Sequence, residues 1–153
     1  MYRPAIGRPR VLLVVFHPAV GGGIETLLRL ERRYEVRRAT RLADALRIAP
    51  SWPADLALLD AAMVPRQGRV VLGVPTLLLA GGEAEGEAAA RRLDDPRDWV
   101  APDAESASLI AAVERLLTQR PEAVAGPFPL LLVGALFVVF VALLLYLAWT
   151  AIV

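Results

Sequence analysis

Three short runs of apolar residues place the strongest constraint on the fold of this chain. They lie at residues 11–16, 55–60 and 74–80, and the middle run is apolar apart from an acid at each end. A continuous apolar run of this length is typical of a strand that is covered on both faces. Segments with helical spacing separate the runs. The sequence therefore predicts an α/β fold in which helices cover both faces of a parallel sheet.

The remaining segments extend this series until strands and helices alternate about five times. Alternating residues at 34–39 predict an edge strand rich in Arg, and a brief last strand is expected at 98–101. Apolar residues at helical spacing predict helices at 24–33, 40–49, 83–93 and 103–119. Between the first strand and the first helix, Gly21, Gly22 and Gly23 predict a loop.

Composition excludes several kinds of chemistry. The 153 residues include no Cys and no Lys, and there is a single His. Disulfides, thiolate nucleophiles, Schiff-base lysines, P-loop lysines and multi-histidine metal sites are therefore excluded. We expect no metal and no cofactor. The net charge is only +1, and we expect no nucleic-acid partner, although residues 1–50 hold ten Arg against four acids.

The C-terminal segment predicts a membrane anchor. Residues 130–153 contain no charged side chain, and a helix of that length rises about 36 Å, enough to cross a bilayer core of about 30 Å. A Pro/Gly linker is expected at 120–129 and an N-terminal arm at 1–9, on either side of a domain at 10–119. Arg115 and Arg120 precede the segment and no basic residue follows it. The positive-inside rule then predicts a single-pass protein of the cell (inner) membrane, with its domain in the cytoplasm and its C-terminus outside.

The stretch PADLALLDAAMVPRQG, at residues 53–68, resembles part of the receiver domain of bacterial response regulators. Asp60 takes the place of the phospho-accepting Asp that ends the third strand. Met63, Pro65 and Gly68 match the residues that follow, with one extra residue between the Met and the Pro. The stretches at 41–55 and 98–117 are similar to other parts of that family. The resemblance covers roughly residues 10–119 and implies a flavodoxin-like sheet of five parallel strands.

The sequence departs from the receiver pattern at the positions that carry its chemistry. Phe16, His17 and Pro18 stand where the resemblance implies an acidic pair that helps to hold Mg²⁺. Ala80 replaces a Ser or Thr, and Ala101 replaces a Lys. The resemblance therefore implies a pseudo-receiver that keeps the fold, is not an enzyme, and retains Asp60 as a vestigial phospho-acceptor. The alternative is an atypical phospho-switch that uses Asp60.

Two further sites are predicted from residue type and position. His17 and the three glycines follow the first strand at the edge where open α/β sheets bind ligands. They could serve a small ligand or nucleotide, and they also resemble the Gly-rich turn of some glycosyltransferases. As partner surface we expect the Arg-rich edge, Arg37, Arg38 and Arg41, together with residues 80–119. The expected partners are membrane lipid and either subunits of a membrane complex or a cytoplasmic signalling protein.

Overall fold

The computed structural model describes residues 7–119, which form strands and helices in alternation. The strands are β1 (Arg10–Val14), β2 (Glu35–Ala39), β3 (Leu56–Asp60), β4 (Thr76–Leu79) and β5 (Pro96–Val100). The helices are α1 (Pro18–Leu30), α2 (Leu42–Ile48), α3 (Glu83–Ala90) and α4 (Ser106–Thr118). A short 3-10 helix, Ala61–Met63, follows β3.

All five strands are parallel and lie in the order β2-β1-β3-β4-β5. This is the flavodoxin-like order, and it confirms the predicted parallel sheet. It also places the Arg-rich strand β2 at one edge, as its alternating pattern predicts. The three apolar runs supply β1, β3 and β4, which are the three central strands. Their side chains are buried on both faces because helices cover both.

The core has two layers, one on each face of the sheet. On one face α1 and α4 pack against the strands through Ile24, Leu28, Leu109 and Val113. On the other face α2 and α3 contribute much less apolar surface, mainly Ala45 and Ala89. The second layer is completed by residues outside the helices: Trp52, Val64, Val70, Leu72, Val74 and Leu93.

The connection between β3 and β4 contains no α-helix. After the 3-10 helix the chain continues as an irregular segment. Four of its apolar side chains, Val64, Val70, Leu72 and Val74, are buried in the core, whereas Val71 is exposed. Val70 forms a parallel bridge with Leu93, and the carboxylate of Asp94 accepts hydrogen bonds from the amides of Leu72 and Gly73 at 3.1 and 2.8 Å. The bridge and the hydrogen bonds to Asp94 thus hold this segment against the sheet. Its buried side chains cover the part of the sheet that a helix between β3 and β4 would otherwise cover.

The predicted loop at the three glycines is wrong, because Gly21, Gly22 and Gly23 all lie inside α1. The helix begins at Pro18, whose fixed φ suits the first helical position, and the amide of Gly21 donates to the carbonyl of His17 at 2.9 Å. Glycine is disfavoured in a helix by about 1 kcal/mol per residue. Burial of the apolar face of α1 against the sheet outweighs that preference.

Within residues 7–119, no helix is long and apolar enough to cross a membrane. The predicted anchor at 130–153 and the linker at 120–129 lie outside the described residues, as do residues 1–6 of the predicted arm.

Candidate functional site

The carboxyl ends of the parallel strands meet along one edge of the sheet, and Asp60 lies there. It is the last residue of β3, in register with Leu79 of β4, and its side chain is half-buried. The preceding residue, Leu59, pairs with Val14 of β1. The fold thus brings the ends of β1 and β4 to either side of Asp60, at the edge where open α/β sheets bind ligands.

The Asp60 side chain has a local structural role. It caps the 3-10 helix, and one of its carboxylate oxygens accepts a hydrogen bond from the amide of Ala62 at 3.0 Å. An Asp that bonds the amide two residues ahead is a common way to start a helical turn. Capping therefore accounts for an Asp at this position without phosphoryl chemistry.

The end of β1 brings no carboxylate to the edge. Phe16 is 70% exposed. His17 is the N-cap residue of α1, but its side chain makes no capping hydrogen bond, and Pro18 follows at the first helical position. Pro18 has no N–H, so it removes one of the donors with which a helix N-terminus holds an anion.

The ends of β4 and β5 are equally poor in reactive side chains. Ala80 is buried, and the next amide, that of Gly81, donates to Oε2 of Glu85 at 2.7 Å. Glu85 lies in the first turn of α3 and reaches back toward the end of the strand. Ala101 and Pro102 follow β5. Sequence reasoning missed the role of Glu85, although an acid placed three residues after the N-cap resembles the capping box.

The end of β1 adds no carboxylate to that of Asp60 as a ligand for Mg²⁺. Mg²⁺ binds oxygen ligands and usually takes one or two carboxylates from a protein, whereas the end of β1 offers an aromatic ring, an imidazole and a proline. Nowhere in residues 7–119 do three or more His, Asp or Glu side chains group as metal ligands.

The glycines predicted as a ligand loop do not form a cradle. Gly21 is buried, and a Cβ there would lie 3.4 Å from Cδ of Arg38 and 3.5 Å from Cβ of Val15. These are ordinary contact distances, so Gly21 packs against β2 and the end of β1 as part of the helix. His17 lies one helical turn before Gly21, at the exposed start of the same helix.

The three arginines predicted as one partner surface are separated by the sheet. Arg37 and Arg38 are neighbours on β2 and point to opposite faces. The guanidinium of Arg37 lies 5.2 Å from the ring centroid of Trp52, whereas Arg38 forms an ion pair of 3.5 Å with Glu25 of α1. Arg41 is exposed and serves as the N-cap residue of α2.

In the predicted partner surface at 80–119, one aromatic side chain stands out. Trp99 of β5 is 37% exposed and packs over Gly86 of α3. The preceding residue, Asp98, points to the opposite face of the sheet, where it is paired with Arg115 of α4. The aromatic ring and the charged pair therefore lie on opposite faces of β5.

No protein-family model matches this sequence, and no curated protein matches it significantly. Comparison of structures is more informative. A receiver domain of a response regulator from Bermanella marisrubri superposes with a TM-score of 0.59 at 20% identity, covering 71% of this chain and 97% of that one. The receiver domain of a histidine kinase from Syntrophus aciditrophicus gives 0.62 at 19% identity, covering 76% and 96%.

A third similar structure is the receiver domain of sensor histidine kinase PA1611 from Pseudomonas aeruginosa, with a TM-score of 0.60 at 21% identity. It covers 73% of this chain and 99% of that one, and it holds a magnesium ion in its active-site cleft. This chain has the receiver-domain fold. At such identities the likeness shows the fold and not the chemistry. The resemblance inferred from the stretch around Asp60 is thus confirmed as a statement about architecture.

Proposed function

We propose that this chain is a receiver-like protein-interaction module of signal transduction that catalyses no reaction and is tethered to the membrane by residues 130–153. It docks a cytoplasmic signalling partner at the membrane or serves as an accessory subunit of a membrane complex. In this proposal the domain lies on the cytoplasmic face of the cell (inner) membrane and the C-terminus lies outside.

The surroundings of Asp60 are the observation that carries the non-catalytic part of the proposal. Phosphoryl transfer depends on positioning and on groups that neutralise the developing charge. Phe16, Ala80 and Ala101 stand where the receiver pattern has an acid, a hydroxyl and a Lys. Asp60 itself bonds a backbone amide. Because Asp60 bonds a backbone amide and lacks the acid, the hydroxyl and the Lys of the receiver pattern, its surroundings support a structural role for this carboxylate.

The membrane part of the proposal is supported by the sequence. Residues 130–153 are uncharged and are long enough to cross a bilayer as a helix. Tyr146 and Trp149 lie near the far end of that segment, as residues of an aromatic belt do. Arg115 and Arg120 precede the segment, which supports a cytoplasmic domain.

The decisive experiment is phosphorylation with a small phosphodonor. The full chain in a neutral detergent is incubated with acetyl phosphate and Mg²⁺, and its intact mass is measured. The PA1611 receiver domain, which holds magnesium, serves as the positive control. We expect the control to gain a phosphoryl group and this chain to gain none. A stable adduct on this chain that is lost in Asp60→Asn would contradict the proposal.

The second candidate function is an atypical phospho-switch. Its support is the position of Asp60 at the carboxyl end of β3, half-exposed and at the sheet edge. This candidate predicts the adduct just described, so the same measurement separates the two functions.

A further inference from the structure

A basic cleft lies at the opposite edge of the sheet from Asp60, where β1 and β2 begin. Its volume is about 620 Å³, within the usual range for small-molecule sites. Four guanidinium groups, one carboxylate and the ring of Trp52 line it. The charged residues are Arg8, Arg10, Arg29, Arg37 and Glu35. These side chains come from the segment before β1, the first residue of β1, the end of α1, strand β2 and the segment after α2.

The positive charge of this cleft is only partly compensated. Arg10 pairs with Glu35 at 2.8 Å, and Arg29 pairs with Glu25 at 2.8 Å. For Arg37 and Arg8, by contrast, the structure gives no ion pair with any carboxylate of residues 7–119. The cleft therefore gathers two guanidinium groups that an anion could neutralise.

The ring of Trp52 holds the guanidinium groups of Arg10 and Arg37 in place. The Trp52 ring is almost fully buried, and the guanidinium carbons of Arg10 and Arg37 lie 5.7 and 5.2 Å from its centroid. A guanidinium held by cation–π attraction still presents its N–H groups at its edge. Because the ring is fixed by the core, these donors are ordered before a ligand arrives, which lowers the entropy lost on binding.

The existing ion pairs present little obstacle to a ligand. Glu35 is 53% exposed and Arg10 is 42% exposed, and exposed pairs of this kind stabilise a protein by about 1 kcal/mol or less. An incoming anion can therefore share Arg10 with Glu35 or replace that carboxylate.

We propose that this cleft binds a phosphate group. Tetrahedral phosphate presents several oxygens to converging guanidinium groups, and Arg binds it through two parallel hydrogen bonds. The phosphate could belong to an anionic lipid headgroup or to a soluble phosphate compound. The cleft uses none of the residues around Asp60, so this proposal stands or falls independently of the proposed function.

The test follows the Trp52 indole N–H by NMR in the full chain, held in a neutral detergent. One arm adds inorganic phosphate. The other arm adds phosphatidylglycerol to the micelles, with phosphatidylcholine as the uncharged control. Comparison with Trp52→Phe assigns the signal. We expect a saturable shift in at least one arm, weakened by salt because charges in an open cleft are screened.

Arg37→Gln is the test variant, and Arg91→Gln at the end of α3 is its matched control. Both remove one exposed positive charge, but Arg91 pairs with Glu87 and does not line the cleft. Loss of one charge-assisted contact should weaken apparent affinity about tenfold in Arg37→Gln, and Arg91→Gln should bind like the parent. Arg8→Gln should repeat the loss without touching the Trp52 ring.

The outcomes separate the sources and decide the proposal. A shift with inorganic phosphate alone supports a soluble ligand, and a shift with phosphatidylglycerol alone supports a lipid headgroup. No shift in either arm overturns the proposal. Equal weakening in Arg37→Gln and Arg91→Gln also overturns it, since that result would show attraction to net charge without a site.

Discussion

At the scale of single residues, Gly86 shows how closely the edge of the domain is packed. A Cβ at this position would lie 2.9 Å from Cγ of Trp99. Alanine is the better helix former by about 1 kcal/mol, but overpacking a filled site destabilises a protein by about 1–3 kcal/mol. We expect Gly86→Ala to lower the free energy of unfolding by about 1 kcal/mol, measured by denaturant titration.

The control for Gly86→Ala is a glycine of another helix with free space around it. Nothing lies within 4 Å of a Cβ built at Gly23. If both substitutions raised the free energy of unfolding, helix propensity alone would explain them, and the contact between residue 86 and Trp99 would contribute nothing measurable to stability.

Tyr34 is expected to make stability depend on pH at the alkaline end. Burial, and secondly the negative charge of Glu114, raise the pKa of the Tyr34 hydroxyl in the folded state. A raised pKa means that folding favours the neutral phenol. Its contribution is therefore complete below the unfolded value of about 10 and is lost as pH rises through the folded value.

The measurement compares the denaturation midpoint of the parent and of Tyr34→Phe as pH is raised through this range. The parent should lose stability more steeply than Tyr34→Phe. Parallel curves for the parent and Tyr34→Phe would contradict the expectation.

At the scale of elements, helix α1 tests the correction to the glycine triplet. Gly23 lies in the sixth position of the helix with open space beside it. Gly23→Ala should therefore raise the free energy of unfolding by about 1 kcal/mol. A loop at this place would give no such gain. Circular dichroism and denaturant titration measure the effect, and a neutral or destabilising result would contradict the helix.

The connection between β3 and β4 depends on Asp94. Its carboxylate accepts hydrogen bonds from two amides of the irregular segment. Removal of the carboxylate leaves those two N–H groups without their protein acceptor. We expect Asp94→Ala to cost about 1–3 kcal/mol of stability and Asp94→Asn, which keeps one acceptor oxygen, to cost less. Thermal denaturation in the same buffer measures both.

Glu87→Ala is the matched control for Asp94→Ala. It removes an acid from an exposed i,i+4 pair with Arg91, and such pairs contribute about 0.3–0.5 kcal/mol. An effect of Asp94→Ala as small as that of Glu87→Ala would show that the segment is held by its buried apolar side chains alone.

Features that depend on residues close together in the sequence could be predicted, whereas features that depend on residues far apart in the sequence could not. The central strands and the edge position of β2 were predictable because hydrophobic periodicity records burial locally. The glycine triplet was misread because the packing of α1 on the sheet overrides helix propensity. The Asp60 position was predictable from its motif, whereas the cleft was not, since it joins residues as distant as Arg8 and Trp52.

At the scale of the whole molecule, the proposed function depends on location more than on chemistry. The tail at 130–153 carries that location in the proposal, and its apolar length is the property that matters. A chain ended after Gln119 should therefore appear in the soluble fraction of a cell lysate, whereas the full chain should sediment with membranes and resist extraction by alkaline carbonate.

The control is a chimera in which an unrelated apolar span of equal length replaces 130–153. It should sediment with membranes like the full chain, because insertion depends on hydrophobicity and length and not on a particular sequence. Circular dichroism of the shortened chain must show folded α/β structure, so that aggregation does not imitate sedimentation. If the shortened and folded domain still sedimented, and salt released it, then charges on the domain itself would bind the membrane and the tail would not be the sole anchor.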